Sequence, residues 1–320
     1  MADKRATREA LGETLIELVA EGRDDIVALD ADLAKATTMV KFASAHPDRF
    51  FDCGVAEQNM MGTAAGLAAG GKTPFTGSFA VFATGRAYDQ VRNSVCYGNL
   101  SVKLCPTHAG VTVGPDGGSH QMLEDIALMR VLPNMKVLVP ADYVAAKAAI
   151  RTAASTPGPC FVRLGRPKVS IIHGDDYVFE VGRAQVLREG DDVTLAACGI
   201  MTARALLAAD LLAAEGMSAE VIDVATIKPI DTETLLASAA KTGAVVAAEE
   251  HSVIGGLGSA VAEVLVEGGP VPMERVGVHD IFGTSGEADE LMAFFGLTED
   301  DIVTSARRAV ARKRLKASRR

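Results

Sequence analysis

The chain has 320 residues, enough for two domains that each bury a core. Its 41 acidic against 32 basic side chains leave a formal net charge of −9, which argues against a general electrostatic attraction to nucleic acid. No stretch approaches the roughly 18 apolar residues of a membrane-spanning helix, and the N-terminus is charged from Asp3 to Arg8 with no apolar stretch, so a soluble, cytoplasmic protein is expected. Cys53, Cys96, Cys105, Cys160 and Cys198 form no CxxC pair, which suggests reduced, mostly buried thiols rather than a disulfide framework or a zinc site.

In chain order, Ala6-Thr7-Arg8 precedes the apolar run Ile26-Val27-Ala28-Leu29, a predicted buried strand, and Asp30-Ala31-Asp32-Leu33 follows with acids suited to a strand end or a helix cap. Gly54-Val55-Ala56-Glu57-Gln58-Asn59-Met60-Met61-Gly62 places one acid in a small, apolar helix, where a carboxylate without a partner is costly to bury. The same helix carries Gly62, Gly66 and Gly70 at four-residue intervals, which fits either close packing at a subunit boundary or a buried core helix. Each helical glycine costs on the order of 1 kcal/mol relative to alanine, so the row needs compensation. Phe79 and Phe82 follow three residues apart in Gly-Ser-Phe-Ala-Val-Phe, a spacing that can put both rings on one side of a turn or simply fill a core. Next comes Thr107-His108, then Gly114-Pro115-Asp116-Gly117-Gly118-Ser119-His120-Gln121, a loop unusually rich in Gly, His and Asp. Asp116 and His120 have no third ligand at a recognised spacing, so no metal site is expected.

Further on, Met135-Lys136-Val137-Leu138-Val139 and Cys160-Phe161-Val162 alternate with the alanine-rich helical stretch 142–154, a pattern of parallel sheets. A second series follows: Val193-Thr194-Leu195-Ala196-Ala197, a helix over 201–215, Ala219–Val224 and Val245–Ala248. The polar, irregular residues between them suit a linker. The expected organisation is therefore α/β throughout, with domains at 1–175 and 192–320 joined by a linker at 176–191. Gly255-Gly256-Leu257-Gly258-Ser259 lacks the spacing of a dinucleotide fingerprint and reads as a strand-to-helix turn. The basic tail, from Arg307 to Arg319 and Arg320, reads as a solvated terminal helix with a frayed end.

The order and spacing of these blocks resemble the pyrimidine-binding domain of transketolases, thiamine-diphosphate enzymes that move two-carbon ketol units between sugar phosphates. The resemblance continues through Ile281-Phe282-Gly283-Thr284-Ser285-Gly286 to residues 297–302, where it is similar to the transketolase C-terminal domain. It implies two α/β domains with mainly parallel sheets, a pyrimidine-binding domain followed by a C-terminal domain whose usual role is assembly. Full-length members also carry an N-terminal Gly-Asp-Gly segment that binds magnesium and the cofactor diphosphate, and nothing here matches it. The implied protein is thus the C-terminal subunit of a split transketolase. Its partner would be an N-terminal subunit supplying the Mg2+ ligands, in an α2β2 heterotetramer, with a homodimer of the isolated chain as a further possibility.

The resemblance also assigns roles. Glu57 matches the glutamate that holds the pyrimidine nitrogen of the cofactor and promotes its imino form. Phe79 and Phe82 match aromatics around the pyrimidine, and Asp32 matches an acid near the cofactor. Arg8, His108 and Arg166 match the residues that hold the sugar phosphate. Asp116 corresponds to the acid at the donor's C2 hydroxyl, and His120 to the histidine lining the channel; His108 and His120 are expected to donate protons or polarise the substrate. Three positions depart from the commonest pattern: Ala56 replaces an arginine, Gly85 a third aromatic, and Ala36 or Thr37 a serine of the phosphate site. Arg86-Ala87-Tyr88-Asp89-Gln90 is also similar to deoxyxylulose-phosphate synthases and to β subunits of 2-oxo-acid dehydrogenases. Those two, and a non-catalytic assembly subunit, are the alternatives.

Overall fold

The computed structural model describes residues 3–317 and contains two large sheets besides a two-stranded antiparallel pair, Lys4–Ala6 with Lys168–Ser170. In the first, Phe50–Asp52, Ile26–Asp30, Thr73–Thr76, Lys103–Leu104, Cys160–Val162 and Lys136–Leu138 run parallel in that spatial order. In the second, Met273–Val278, Val245–Ser252, Val193–Ala197 and Ala219–Asp223 are parallel neighbours. The α/β, mainly parallel architecture expected from the sequence is present.

The strand Ile26–Asp30 shows why helices must cover both faces. Alternate side chains leave opposite sides of a strand. Ile26 and Ala28 therefore join a core with Leu11 and Leu15 of the helix Glu9–Ala20 and with Ile150 of Tyr143–Ser155. Leu29 points the other way, to Met60, Met61 and Ala64 of the helix Glu57–Ala69. Fully burying side chains of this size stabilises by about 2 kcal/mol each. That second core does not stop at the first sheet, because it also holds Ala196, Ile222 and Ala247 of the second.

Two edge strands differ from the expected domain plan. Gln185–Arg188, inside the stretch read as linker, pairs antiparallel with Ala219–Asp223, so that stretch contains a strand of the second sheet. Thr226–Lys228 comes from the C-terminal half yet closes the first sheet, antiparallel to Lys136–Leu138. The two halves are thereby laced together by main-chain hydrogen bonds as well as by core packing.

The glycine face of Glu57–Ala69 is exposed at Gly62 and Gly66, where an added Cβ would meet open space. The opposite face, with Ala64 and Ala65, is buried, so of the two readings of this row a buried core helix does not describe its glycine side. The basic C-terminal helix Glu299–Ala317 is tied to the fold rather than simply solvated: Arg307 pairs with Glu215, Arg312 with Glu274, and Lys313 Nζ donates to the Thr242 carbonyl at 2.6 Å. Arg319 and Arg320 lie outside the described residues. Among those residues no helix is long and apolar enough to cross a membrane.

Candidate active site

Open parallel sheets bind ligands beyond the carboxyl ends of their strands, and the residues singled out by the sequence gather there. Gly77–Phe79 follows Thr73–Thr76, Pro106–His108 follows Lys103–Leu104, and Arg163–Arg166 follows Cys160–Val162. Glu57 is the first residue of its helix, where the unpaired amide groups and the helix dipole favour a carboxylate. It is 1% exposed. Its two carboxylate oxygens accept from a single Arg86 nitrogen, Nη1, at 2.9 and 2.8 Å. The Arg86 side chain remains 48% exposed and lies over the Phe82 ring, 4.4 Å from its centroid. The guanidinium at this carboxylate thus comes from residue 86, while the position before Glu57 is Ala56.

Phe79 and Phe82 present nearly parallel rings, 9° apart with centroids at 6.0 Å. Phe79 also stacks on His108 at 3.8 Å, and His120 meets Phe79 and Phe82 edge-on at 6.2 and 5.4 Å. A wide π turn over Val81–Arg86 carries Phe82 and Arg86. Gly85 on this turn faces open space, so the place of a third aromatic is vacant of side chain. A buried carboxyl, two aromatic faces and that opening fit a flat heterocycle with a basic nitrogen directed at Glu57.

His108 is held in the left-handed backbone region at φ 60°. Its Nδ1 lies 2.7 Å from Thr107 Oγ1 and its Nε2 3.2 Å from Arg8 Nη1. A guanidinium can only donate, so Nε2 accepts and the ring proton resides on Nδ1. Burial, then the charges of Arg8, Arg166 and His120, push its pKa down to about 3. The ring is therefore neutral near pH 7, with its Nδ1–H facing Thr107 Oγ1.

Arg8 Nη1 also donates to the Ala36 carbonyl at 2.8 Å, while its Nε is buried without a partner. Burial and then the neighbouring charge of Arg166 lower the proton affinity of Arg8. Arg166 donates to the Val113 carbonyl. Neither guanidinium has a hydrogen-bonded carboxylate among the described residues, so two like charges and an orphan donor converge where an anion would satisfy all three. Thr37, one of the two candidates for the missing serine, is already committed: its hydroxyl donates to Asp30 Oδ2 at 2.7 Å.

The structure thus brings Glu57, Phe79, Phe82, His108, His120, Arg8 and Arg166 into one connected patch. Two residues stand apart from that network. Asp116 is exposed at the end of the turn Val111–Asp116, with no side-chain partner among the described residues. Asp32 is exposed at φ 62°, its amide bonded to Asp52 Oδ1 at 3.0 Å. The acid that the chain buries here is Asp30, which burial pushes up to about 6 against hydrogen bonds from Thr37 and the Leu33 amide. Sequence reasoning passed over Asp30 and Arg86, although Phe82 and Arg86 stand four residues apart on one turn, a spacing that predicts contact. No group of three His, Cys, Asp or Glu among the described residues is placed to hold a metal. The turn at Gly255–Ser259 does lead from strand to helix, and its first amides are occupied: Glu249 accepts from Leu257 N at 2.7 Å and Gly258 N at 2.8 Å.

Comparison with known proteins accounts for this arrangement. Residues 3–170 match the family model "Transketolase, pyrimidine binding domain", and residues 182–302 match "Transketolase, C-terminal domain". A chain of Methanocaldococcus jannaschii with the provisional name transketolase C-terminal section is 48% identical over 301 residues, 93% of this chain and 94% of that one. The 6-deoxy-6-sulfo-D-fructose transketolase subunit SqwH of Clostridium sp. strain MSTE9 is 49% identical over 306 residues, 95% of each chain. A solved structure of a split gene transketolase, an inactive beta4 tetramer, superposes with a TM-score of 0.89 at 53% identity, covering 97% of this chain and 99% of that one. The chain belongs to the transketolase family, as the C-terminal subunit of a split transketolase.

Proposed function

We propose that this subunit, joined to an N-terminal partner, transfers a two-carbon ketol unit from a ketose phosphate to an aldose phosphate with thiamine diphosphate. The observation that carries the reading is the pairing of a carboxyl buried to 1% exposure beside two aromatic faces with a pair of carboxylate-free guanidiniums in the same patch. Thiamine diphosphate, when bound, supplies the nucleophilic carbon and the electron sink that ketol transfer requires. Glu57 would hold the pyrimidine nitrogen, with Phe79 and Phe82 against the ring. Arg86 must leave the Glu57 carboxylate for that contact to form, and its half-exposed side chain leaves it room to swing. Arg8 and Arg166 would take the substrate phosphate, and neutral His108, its Nδ1–H fixed by Thr107, would polarise rather than protonate. Asp116 and His120 would contact the donor sugar, and Asp32 would stand near the cofactor.

The partner subunit would contribute the diphosphate and Mg2+ ligands in an α2β2 assembly. The exposed glycine face of Glu57–Ala69, next to the 73% exposed Val55, supports docking at this edge. Five free cysteines fit a reducing, cytoplasmic location. The test is to combine the chain with its N-terminal subunit, Mg2+ and thiamine diphosphate and to measure transfer from xylulose 5-phosphate to ribose 5-phosphate. Transfer should need both chains and fall roughly 10²–10⁴-fold in Glu57→Gln. Transfer undiminished by that substitution would refute the assignment of Glu57.

A further inference from the structure

We propose that Glu250, from the C-terminal half, is a positioning residue for the loop 110–121 and, through it, for Asp116 and His120. The inference rests on the ketol-transfer reading for its link to substrate, but its structural basis stands on the geometry of the loop. Glu250 lies in the buried part of the strand Val245–Ser252, before the equally buried His251, and is 4% exposed. Its Oε1 accepts the Thr112 amide at 2.7 Å, across 138 residues of sequence. Just before that amide, Gly110 adopts φ +82°, and a Cβ there would come within 2.2 Å of the Glu250 carboxyl. The loop backbone crosses directly over the carboxylate, and only glycine fits the crossing.

The rest of the loop is anchored in the same direction. The Gly110 amide donates to the Met122 carbonyl at 2.9 Å and closes the neck. Gln121 Nε2 donates to the Val111 carbonyl at 3.1 Å and to the Thr284 carbonyl at 2.9 Å. A Cβ on Gly118 would meet the Gly283 carbonyl oxygen at 2.4 Å, so loop and C-terminal half approach backbone to backbone. Glu250 is itself fixed from behind: Arg163 Nη2 donates to its main-chain carbonyl at 3.0 Å and, with Nε, grips Asp125 at 3.1 and 2.7 Å. The loop holding two proposed substrate contacts is therefore clasped at its base by a carboxylate from the other half of the chain. On this view the C-terminal half takes part in the site as well as in assembly.

The experiment has two readouts on Glu250→Ala, Glu250→Gln and Glu250→Asp. In the full chain, hydrogen exchange at Thr112 should accelerate about tenfold or more in Glu250→Ala, because the hydrogen bond to its amide is lost, and return close to the original rate in Glu250→Gln, which keeps an acceptor. Exchange in Val193–Ala197 should stay unchanged, which separates loosening of the loop from general unfolding. If the alanine variant does not fold, Glu250→Asp, which withdraws the carboxylate by one methylene, should show the same local acceleration. In the assembled complex, Glu250→Ala should raise the donor KM about tenfold with thiamine diphosphate affinity preserved. A Thr112 amide as protected in the alanine and aspartate variants as in the parent overturns the clasp. A faster loop with an unchanged donor KM overturns the link to substrate. Absence of transfer in the unsubstituted complex would count against the ketol-transfer reading alone, and the exchange result would still decide the clasp.

Discussion

Removing Arg86 should tighten cofactor binding, although it removes an ion pair. In this chain the Glu57 carboxylate is occupied by Arg86 Nη1 at 2.8 and 2.9 Å, so a heterocycle nitrogen can reach Glu57 only by displacing that contact. A charge-assisted hydrogen bond to a buried group contributes about 1.5–3 kcal/mol. The guanidinium is 48% exposed, so solvent screening reduces the value to the lower end or just below it, about 1.4 kcal/mol. That is a factor of about ten in an equilibrium constant. Arg86→Ala should therefore bind thiamine diphosphate about tenfold more tightly in the assembled complex, read by isothermal titration. The same substitution leaves a buried carboxyl without its cation, so the cofactor-free complex should melt earlier. The two effects share one origin, since a ligand that replaces a lost contact gains what the free protein has given up. Weaker cofactor binding in Arg86→Ala would refute the reasoning and would mean that Arg86 supports the cofactor in place.

The histidines give two further predictions. His108, pushed down to about 3 by burial and by Arg8, Arg166 and His120, should show ring resonances that do not titrate between about pH 5 and 8, whereas a midpoint near its ordinary value of about 6.5 would contradict the packing. Because the unfolded chain takes up this proton first, His108 adds nothing above about pH 6.5 and destabilises the native state progressively below it. His173 behaves oppositely. Burial disfavours its charge, but the hydrogen bond to Asp142 and then the ion pair with Asp223 outweigh it and raise the ring to about 9. Its Nδ1 lies 3.1 Å from Asp142 and its Nε2 3.4 Å from Asp223, one carboxylate from each half of the chain. Its contribution is fully present below about pH 6.5 and lost as pH rises through about 9. Thermal midpoints should fall between about pH 7 and 10 in the parent chain and change less in His173→Gln; identical slopes would refute the assignment.

What could be read from the sequence depended on whether a signal lay within one continuous peptide. Glu57 with its small neighbours, Phe79 with Phe82, and the loop from Thr107 to Gln121 each announce themselves over a few residues, and each lies at the site. The strands that lace the two halves do not. Gln185–Arg188 is short, half-exposed and set among glycines and charged residues, and its pairing with Ala219–Asp223 makes it a strand. Tertiary context of this kind overrides local preference. Glu249 and Glu250 are a different case, because the criterion that singled out Glu57 applies to them with equal force. Two acids end an otherwise apolar run, Val245-Val246-Ala247-Ala248, and a buried carboxylate requires a donor. The sequence therefore indicates that these acids have partners. It cannot name them, because all three partners are main-chain amides, which no side-chain pattern marks. Glu249 takes the nearby amides of Leu257 and Gly258, whereas Glu250 takes that of Thr112 in the other half of the chain. The acids nearest in sequence thus serve different ends, one closing a helix and the other holding the loop at the site.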